Sequence, residues 1–368
     1  MKTLKRSSWW RGLVLLALAA CVSALAACSN DFTPQSRVDT LRVIAVRPQP
    51  ASGAPGKTSA LELVTADGAP GSADGGAARP LQVVWLAGCH NPRTRQYFGC
   101  YPLLGELAKR LSPRVIDTPA SSLPASVFGT GAHYDLAVPD NILSAAPKQP
   151  GDPIHFGVSY AFFAVCAGEL RPRLSFTDRL PLDCVDPNTG VSLGRTDFVT
   201  GFTTLYSYEG VTNQNPVLTG IHLGKTALDT SACETDADCA GLVDPTQAGF
   251  DERCGSQGTC APVLPACTTP AQCQQILITP DVDPASAERL PGVGANEILW
   301  ANFYATAGAF KEATELVSDR SLGFITDHGS YFRPPAGTDT PTTIWLTVND
   351  ERGGAAFQAF EVWTEPQK

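Results

Sequence analysis

Val83-Val84-Trp85-Leu86-Ala87 and Ile298-Leu299-Trp300-Ala301-Asn302 share one pattern: a short apolar run with a single Trp among small and branched side chains. Such residues suit a half-buried pleated surface better than a helix. Further runs of this type lie at 40–47, 59–66, 81–87, 155–166 and 197–208. A second series follows at 217–223, 275–279, 297–306, 342–349 and 355–363. Clusters of Pro, Gly, Asn and Asp separate them, so the chain reads as many short strands joined by turns, an all-β protein. The Gly/Ala/Asp/Pro-rich stretch 67–80 reads as a mobile loop. One or two helical turns are expected at 103–111, and no long amphipathic helix appears.

Superposing the two series aligns Trp85 with Trp300. Each falls where an immunoglobulin-like sandwich places a central strand carrying a buried Trp. The tail Ile344-Trp345-Leu346-Thr347-Val348-Asn349-Asp350-Glu351-Arg352-Gly353-Gly354, followed by the run from Phe357 to Val362, resembles the last hairpin of PKD-type or bacterial Ig-like domains. In those domains a turn holding Asp and two Gly joins the final strands, because Gly supplies positive φ. The resemblance implies two immunoglobulin-like β-sandwich domains, at 38–212 and 213–366, with a disulfide-rich insert at 226–274 between the first two strands of the second. Tyr160 followed by Val165-Cys166-Ala167-Gly168-Glu169-Leu170, and Asn213-Gln214-Asn215-Pro216, resemble segments recurring in surface lipoproteins of social gliding bacteria. That group carries no assigned activity.

The N-terminus has its own logic. Lys2, Lys5, Arg6 and Arg11 precede an apolar run of 16 residues at 12–27, and no acidic residue occurs before Asp31. Charge, apolar run and small-residue exit make a secretory signal. The run is shorter than the roughly 20 residues a membrane-spanning helix needs. Its exit, Leu25-Ala26-Ala27-Cys28, resembles the bacterial lipobox. The resemblance implies removal of residues 1–27, acyl chains such as palmitate on Cys28, and 28–37 as a lipidated tether. Leu18-Ala19-Ala20-Cys21 fits the box too, and cysteine parity decides between them. Of 12 cysteines, cleavage before Cys28 leaves ten for pairing, whereas cleavage before Cys21 leaves eleven, an odd number in an oxidising compartment. Ser29 after the acylated cysteine, where Asp marks inner-membrane retention in enteric bacteria, implies the outer membrane, periplasmic or surface-exposed.

Without residues 1–27 the chain keeps 23 basic and 36 acidic residues, a net charge of −13. That excludes a nucleic-acid partner read by electrostatics, and it leaves membrane attachment to the lipid. Ten cysteines in an exported chain read as five disulfides. Cys89–Cys100 and Cys166–Cys184 are pairs of neighbours. The other six, at 233, 239, 254, 260, 267 and 273, sit in three C-x5-C units and admit fifteen connectivities. Interlocking of successive units favours Cys233–Cys254 and Cys239–Cys260, with Cys267–Cys273 as a local clasp. No C-x2-C zinc spacing occurs.

No catalytic residues, metal ligands or cofactor are expected. His90, His133, His155, His222 and His328 form no H-E-x-x-H, and G-x-S-x-G elbows and P-loops are absent. Asp327-His328-Gly329-Ser330 places triad-type residues in sequence order, but triads assemble from separate loops, so a polar loop is the expectation. Glu234-Thr235-Asp236-Ala237-Asp238 and Asp281-Val282-Asp283 space carboxylates two apart, yet lack the Gly and further oxygens of a calcium loop. The expected function is a non-enzymatic, membrane-anchored envelope lipoprotein that presents Ig-like domains for binding or structural work, with an unknown protein or glycan ligand as partner. The rivals are a secreted hydrolase or accessory subunit with dispersed site residues, and a carbohydrate- or calcium-binding adhesin. Exposed aromatics on one face would favour sugar binding; a convergent pocket of His, Asp and Ser would favour the enzyme.

Overall fold

Each strand-type run of the sequence becomes a strand. The computed structural model describes residues 34–364 apart from 70–78, 120–121, 149–150, 174–179, 229–230, 240–250, 266, 270, 291 and 337–340. The signal segment, Cys21, Cys28 and most of the 67–80 loop therefore lie outside the described residues. In the first half the strands are β1 (Leu41–Gln49), β2 (Thr58–Asp67), β3 (Gln82–His90), β4 (Phe128–Thr130), β5 (His133–Ala137), β6 (Phe156–Cys166), β7 (Glu169–Pro172), β8 (Leu182–Val185) and β9 (Phe198–Tyr208). Then come β10 (Leu218–Leu223), β11 (Thr226–Ala227), β12 (Asp251–Cys254), β13 (Cys260–Leu264), β14 (Ile276–Val282), β15 (Leu299–Ala305) and β16 (Ala309–Phe310). The last are β17 (Thr314–Asp319), β18 (Gly323–Phe324), β19 (Ser330–Arg333), β20 (Thr342–Asp350) and β21 (Ala355–Thr364). Helix is confined, among the described residues, to α1 (Tyr101–Ala108), α2 (Asp236–Cys239) and three 3₁₀ turns. No described helix is long and apolar enough to cross a membrane.

The first half holds a three-stranded sheet, β1-β2-β5, facing a four-stranded sheet, β4-β3-β6-β9. Leu41, Leu61 and Leu136 from one meet Trp85, Phe163 and Leu205 from the other. A second core lies on the outer face of the four-stranded sheet, where Leu104 and Leu107 of α1 and Leu170, Leu182 and Cys184 of the β7–β8 hairpin cover Val84, Leu86 and Phe162. With both faces covered, β3 and β6 are near-continuous apolar runs, as two-sided burial requires. The helix expected at 103–111 starts two residues earlier, because Pro102 suits a first helical turn.

In the second half, a five-stranded sheet (β11-β10-β14-β19-β16) faces a seven-stranded one (β12-β13-β21-β20-β15-β17-β18) across Ile278, Phe303, Phe332, Ile344 and Leu346. Here the alignment of the two Trp residues needs correcting. Trp85 is fully buried, but in β15 the inward positions are Leu299, Ala301, Phe303 and Ala305. Trp300 sits on the opposite face, half-buried. Strand alternation sets this: a one-residue offset in superposing two strands exchanges their faces.

The cysteine-rich insert is more closely integrated than a hanging module. Strand β13 pairs in parallel with β21 at Val263 and Leu264, extending the main sheet. The two halves also touch. Val38, Ile44 and Ala66 pack on Tyr304 and Trp345. Just before them, residues 36–38 of the expected tether and its boundary bond to β15, with Ala305 N–H donating to Ser36 O and Val38 N–H to Ala305 O. Ser36–Lys368 accordingly form one compact unit.

Candidate functional site

The outer face of the four-stranded sheet carries two caps, each closed by a disulfide. Strand β3 reaches Cys89 through a bulge: its register against β6 shifts between Leu86 and Cys89, and Gly88 there takes φ +89°. A glycine adopts that conformation without strain. The extra residue reverses the alternation, so Cys89 falls on the same face as Val84 and Leu86 and meets Cys100. This bond closes a loop carrying Tyr97 and Phe98. At the end of β6, Cys166 joins Cys184 and pins the β7–β8 hairpin.

Between the caps lies a cleft of about 460 Å³ lined by Tyr97, Tyr101, Phe162, Arg173, Leu180, Leu182, Asp183, Phe198, Thr200, Gly201 and Phe202. The Tyr97 and Phe202 rings stack at 4.3 Å between centroids and 21° between planes. Phe98 and Tyr101 meet Tyr97 edge-on, both at 6.0 Å. Tyr97, Phe98 and Phe202 remain 37%, 46% and 41% exposed. On the hairpin side, Arg173 stands 3.6 Å from Asp183, with both side chains about two-fifths exposed. That separation makes an ion pair slightly longer than a hydrogen bond, in which the guanidinium and the carboxylate keep further donor and acceptor positions.

A larger cleft, about 770 Å³, runs between the halves beside Ser52, Tyr208, Asn213, Asn215 and Phe357. Its neighbouring polar groups are largely engaged with one another. Asn213 Nδ2 donates to Asp350 Oδ2 (2.9 Å), and Asn215 Nδ2 donates to Pro48 O (2.6 Å) while its Oδ1 accepts from Ala355 N–H. The Asn213–Pro216 segment singled out in the sequence is thus a clamp between the halves. Beneath it the Arg352 guanidinium donates twice to Glu297 (2.6 and 2.7 Å) and once to Glu288 (2.5 Å). Asp350 accepts the Arg352 and Gly354 amides of the β20–β21 turn. Burial, foremost, together with Asp350 and Glu288, raises Glu297 to about 7 despite its bonds from Arg352. Burial raises Asp350 as well.

Most of the residues singled out for chemistry have structural partners instead, and His133 stands exposed on β5. Asp238 accepts the Glu234 and Thr235 amides, Asp236 accepts the Cys254 amide, and Asp283 caps Ala285. Asp281 bonds His222 at 2.8 Å. His328 faces the carbonyls of Ile325 and Pro280, and Ser330 Oγ donates to Glu312 O, so Asp327–Ser330 is no triad. His90 Nδ1 lies 2.9 Å from Ser159 Oγ, but Ser159 is wholly buried, and burial lowers the His90 pKa. His155 meets Ala146 O and Glu209. None of these four histidines joins a hydroxyl to a carboxylate.

The structure pairs Cys233 with Cys254, Cys239 with Cys260 and Cys267 with Cys273. Sulfur atoms of Cys233, Cys239 and Cys260 cluster within 4.8 Å, but as disulfide sulfurs they offer no thiolate to a metal. Tyr97, Phe98 and Phe202 escaped the sequence reading. The available signal was an aromatic doublet inside a short disulfide loop, where no core periodicity explains it.

No protein-family model matches the chain, and no curated protein does. Among solved structures it is similar to dimeric latent PorU from Porphyromonas gingivalis, at 10% identity over 89% of this chain and 24% of that one, with a TM-score of 0.18. It is also similar to three N-terminal domains of the highly immunogenic outer capsid protein of bacteriophage RB49, at 10% identity over 89% of this chain and 100% of that one, with a TM-score of 0.16. Superpositions this loose assign neither a fold family nor a function.

Proposed function

We propose that the chain is a non-enzymatic lipoprotein of the cell envelope, held by acyl chains on Cys28, that presents immunoglobulin-like sandwiches and works by binding at the cleft between the caps. The observation that carries this reading is the exposed cluster Tyr97, Phe98 and Phe202. Leaving three large rings partly in water forfeits burial worth about 1.5–3 kcal/mol for a fully buried side chain, and contiguous exposed apolar surface of this kind marks binding sites. Two disulfides hold the surrounding loops in place, which cuts the ordering cost of association. The facing sheets in each half, and Trp85 between Tyr134 and Phe163, support the sandwich assignment. The lipobox and the even cysteine count support the anchor.

Mass spectrometry of the mature N-terminus tests the anchor. The expected species begins at an acylated Cys28 and fractionates with the outer membrane, and Cys28→Ala leaves the membrane fraction. An unmodified N-terminus, or acyl chains on Cys21, overturns it.

A further inference from the structure

We infer that the cleft between the caps binds a short neutral oligosaccharide, with the exposed side of the Tyr97–Phe202 stack as its apolar platform and Arg173 and Asp183 as the groups that read its hydroxyls. This deepens the binding role proposed above and rests on it. A pyranose ring is amphipathic in a specific way: its C–H groups form an apolar face, and its hydroxyls project around the rim. The C–H face suits the negative face of an aromatic ring, as the positive edge of a second ring does. The rim needs donors and acceptors together. The cleft offers both. The Tyr97–Phe202 stack, whose facing sides cover each other, leaves its remaining exposed surface for the sugar's C–H face. Arg173 and Asp183 of the hairpin, an ion pair at 3.6 Å, keep further donor and acceptor positions for the rim.

Size and charge narrow the class. A cleft of about 460 Å³ belongs with small-ligand sites, roughly 300–1,000 Å³, and is too small for a folded partner. Among its described lining residues the charges are Arg173 and Asp183, which cancel, so they offer no net attraction to an anionic polymer. A polyproline segment would want an aromatic-lined groove, whereas the described residues on the hairpin side are Arg173, Leu180, Leu182 and Asp183.

Detergent-solubilised full-length protein is titrated by calorimetry with cellotetraose, xylotetraose, chitotetraose and maltotetraose, up to about 10 mM to reach weak affinities. At least one should bind. Tyr97→Ala and Phe202→Ala should each weaken that affinity by about tenfold, as loss of one aromatic contact would, and Asp183→Asn by several-fold, with melting temperatures near wild type. Phe98→Ala, edge-on and away from the lining, should change affinity least. No binding by any of the four sugars overturns the ligand class. In that case a decaproline peptide that binds, and is lost with Phe202→Ala, leaves the binding role standing, whereas silence from all five probes overturns both. Cleavage of a bound sugar, read by chromatography, would overturn the non-enzymatic reading and leave the ligand class intact.

Discussion

Strands β3 and β15 both lie inside a sheet, hydrogen-bonded along both edges, and each sets a Trp beside a Leu. In β3 the Trp is the centre of a core. Trp85 stacks on Tyr134 at 5.7 Å, meets Phe163 edge-on at 5.6 Å, and donates its indole N–H to Gly131 O at 2.9 Å. In β15 the neighbouring Leu299 takes that role and Trp300 faces outward. Local pattern establishes that a segment is a strand; what lies across each face decides which side chain is core. Strand β3 has a partner on both sides, the three-stranded sheet on one and the caps on the other. In β15, every second side chain from Leu299 to Ala305 is buried and those between are half-buried.

Truncation gives the largest test of that contrast. Trp85→Ala should cost about 3–5 kcal/mol, the range for deleting a buried aromatic, and Trp300→Ala, half-buried, distinctly less, about 1–2 kcal/mol. Denaturant unfolding measures both, and comparable losses would show that the two strands are alike after all. The next test sets the insert against the caps. Replacing Cys239 and Cys260 by Ser should remove about 3 kcal/mol of loop-closure stabilisation. Hydrogen exchange should then rise in β12 and β13 while β20 stays protected. The same exchange in Cys89→Ser/Cys100→Ser should rise around Tyr97, where the cleft is built. An insert unaffected by the loss would mean that β13, through its pairing with β21, holds it without cross-links.

The smallest expected effect concerns the clamp between the halves. Glu297, raised to about 7 by burial, binds a proton more tightly folded than unfolded. Its contribution is therefore fully present below its unfolded pKa, near 4.3, and is lost as pH rises through 7. Taken alone, this site makes the fold less stable at pH 8 than at pH 5.5, by on the order of 2–3 kcal/mol. Glu297→Gln should flatten that slope in melting temperature even if it lowers stability throughout. An unchanged slope would show that the Arg352 bonds keep Glu297 ionised across the range.

Much of this was legible in the residues. Alternating and continuous apolar runs separated by Pro and Gly gave every long strand, since period-two burial and turn chemistry are local properties. The Asp350–Gly354 turn was readable because positive φ at Gly353 (+95°) suits glycine. Short pieces such as β4, β16 and β18 carry too few residues to show a period, and they exist because longer neighbours offer them an edge.

By itself the sequence determined the strand content, the signal-like start and the spacing that pairs neighbouring cysteines, all set by side-chain chemistry over a few residues. Tertiary structure alone decided that Leu299 and not Trp300 is core, that Asn213 and Asn215 clamp two halves, and that Tyr97 meets Phe202. Tyr97 and Phe202 come from a loop and a strand far apart in the chain. Only the Gly88 bulge, the Cys89–Cys100 bond and the pairing of β6 with β9 bring them within 4.3 Å. A contact of that kind depends on the path of the whole backbone between the two residues, and no local pattern encodes it.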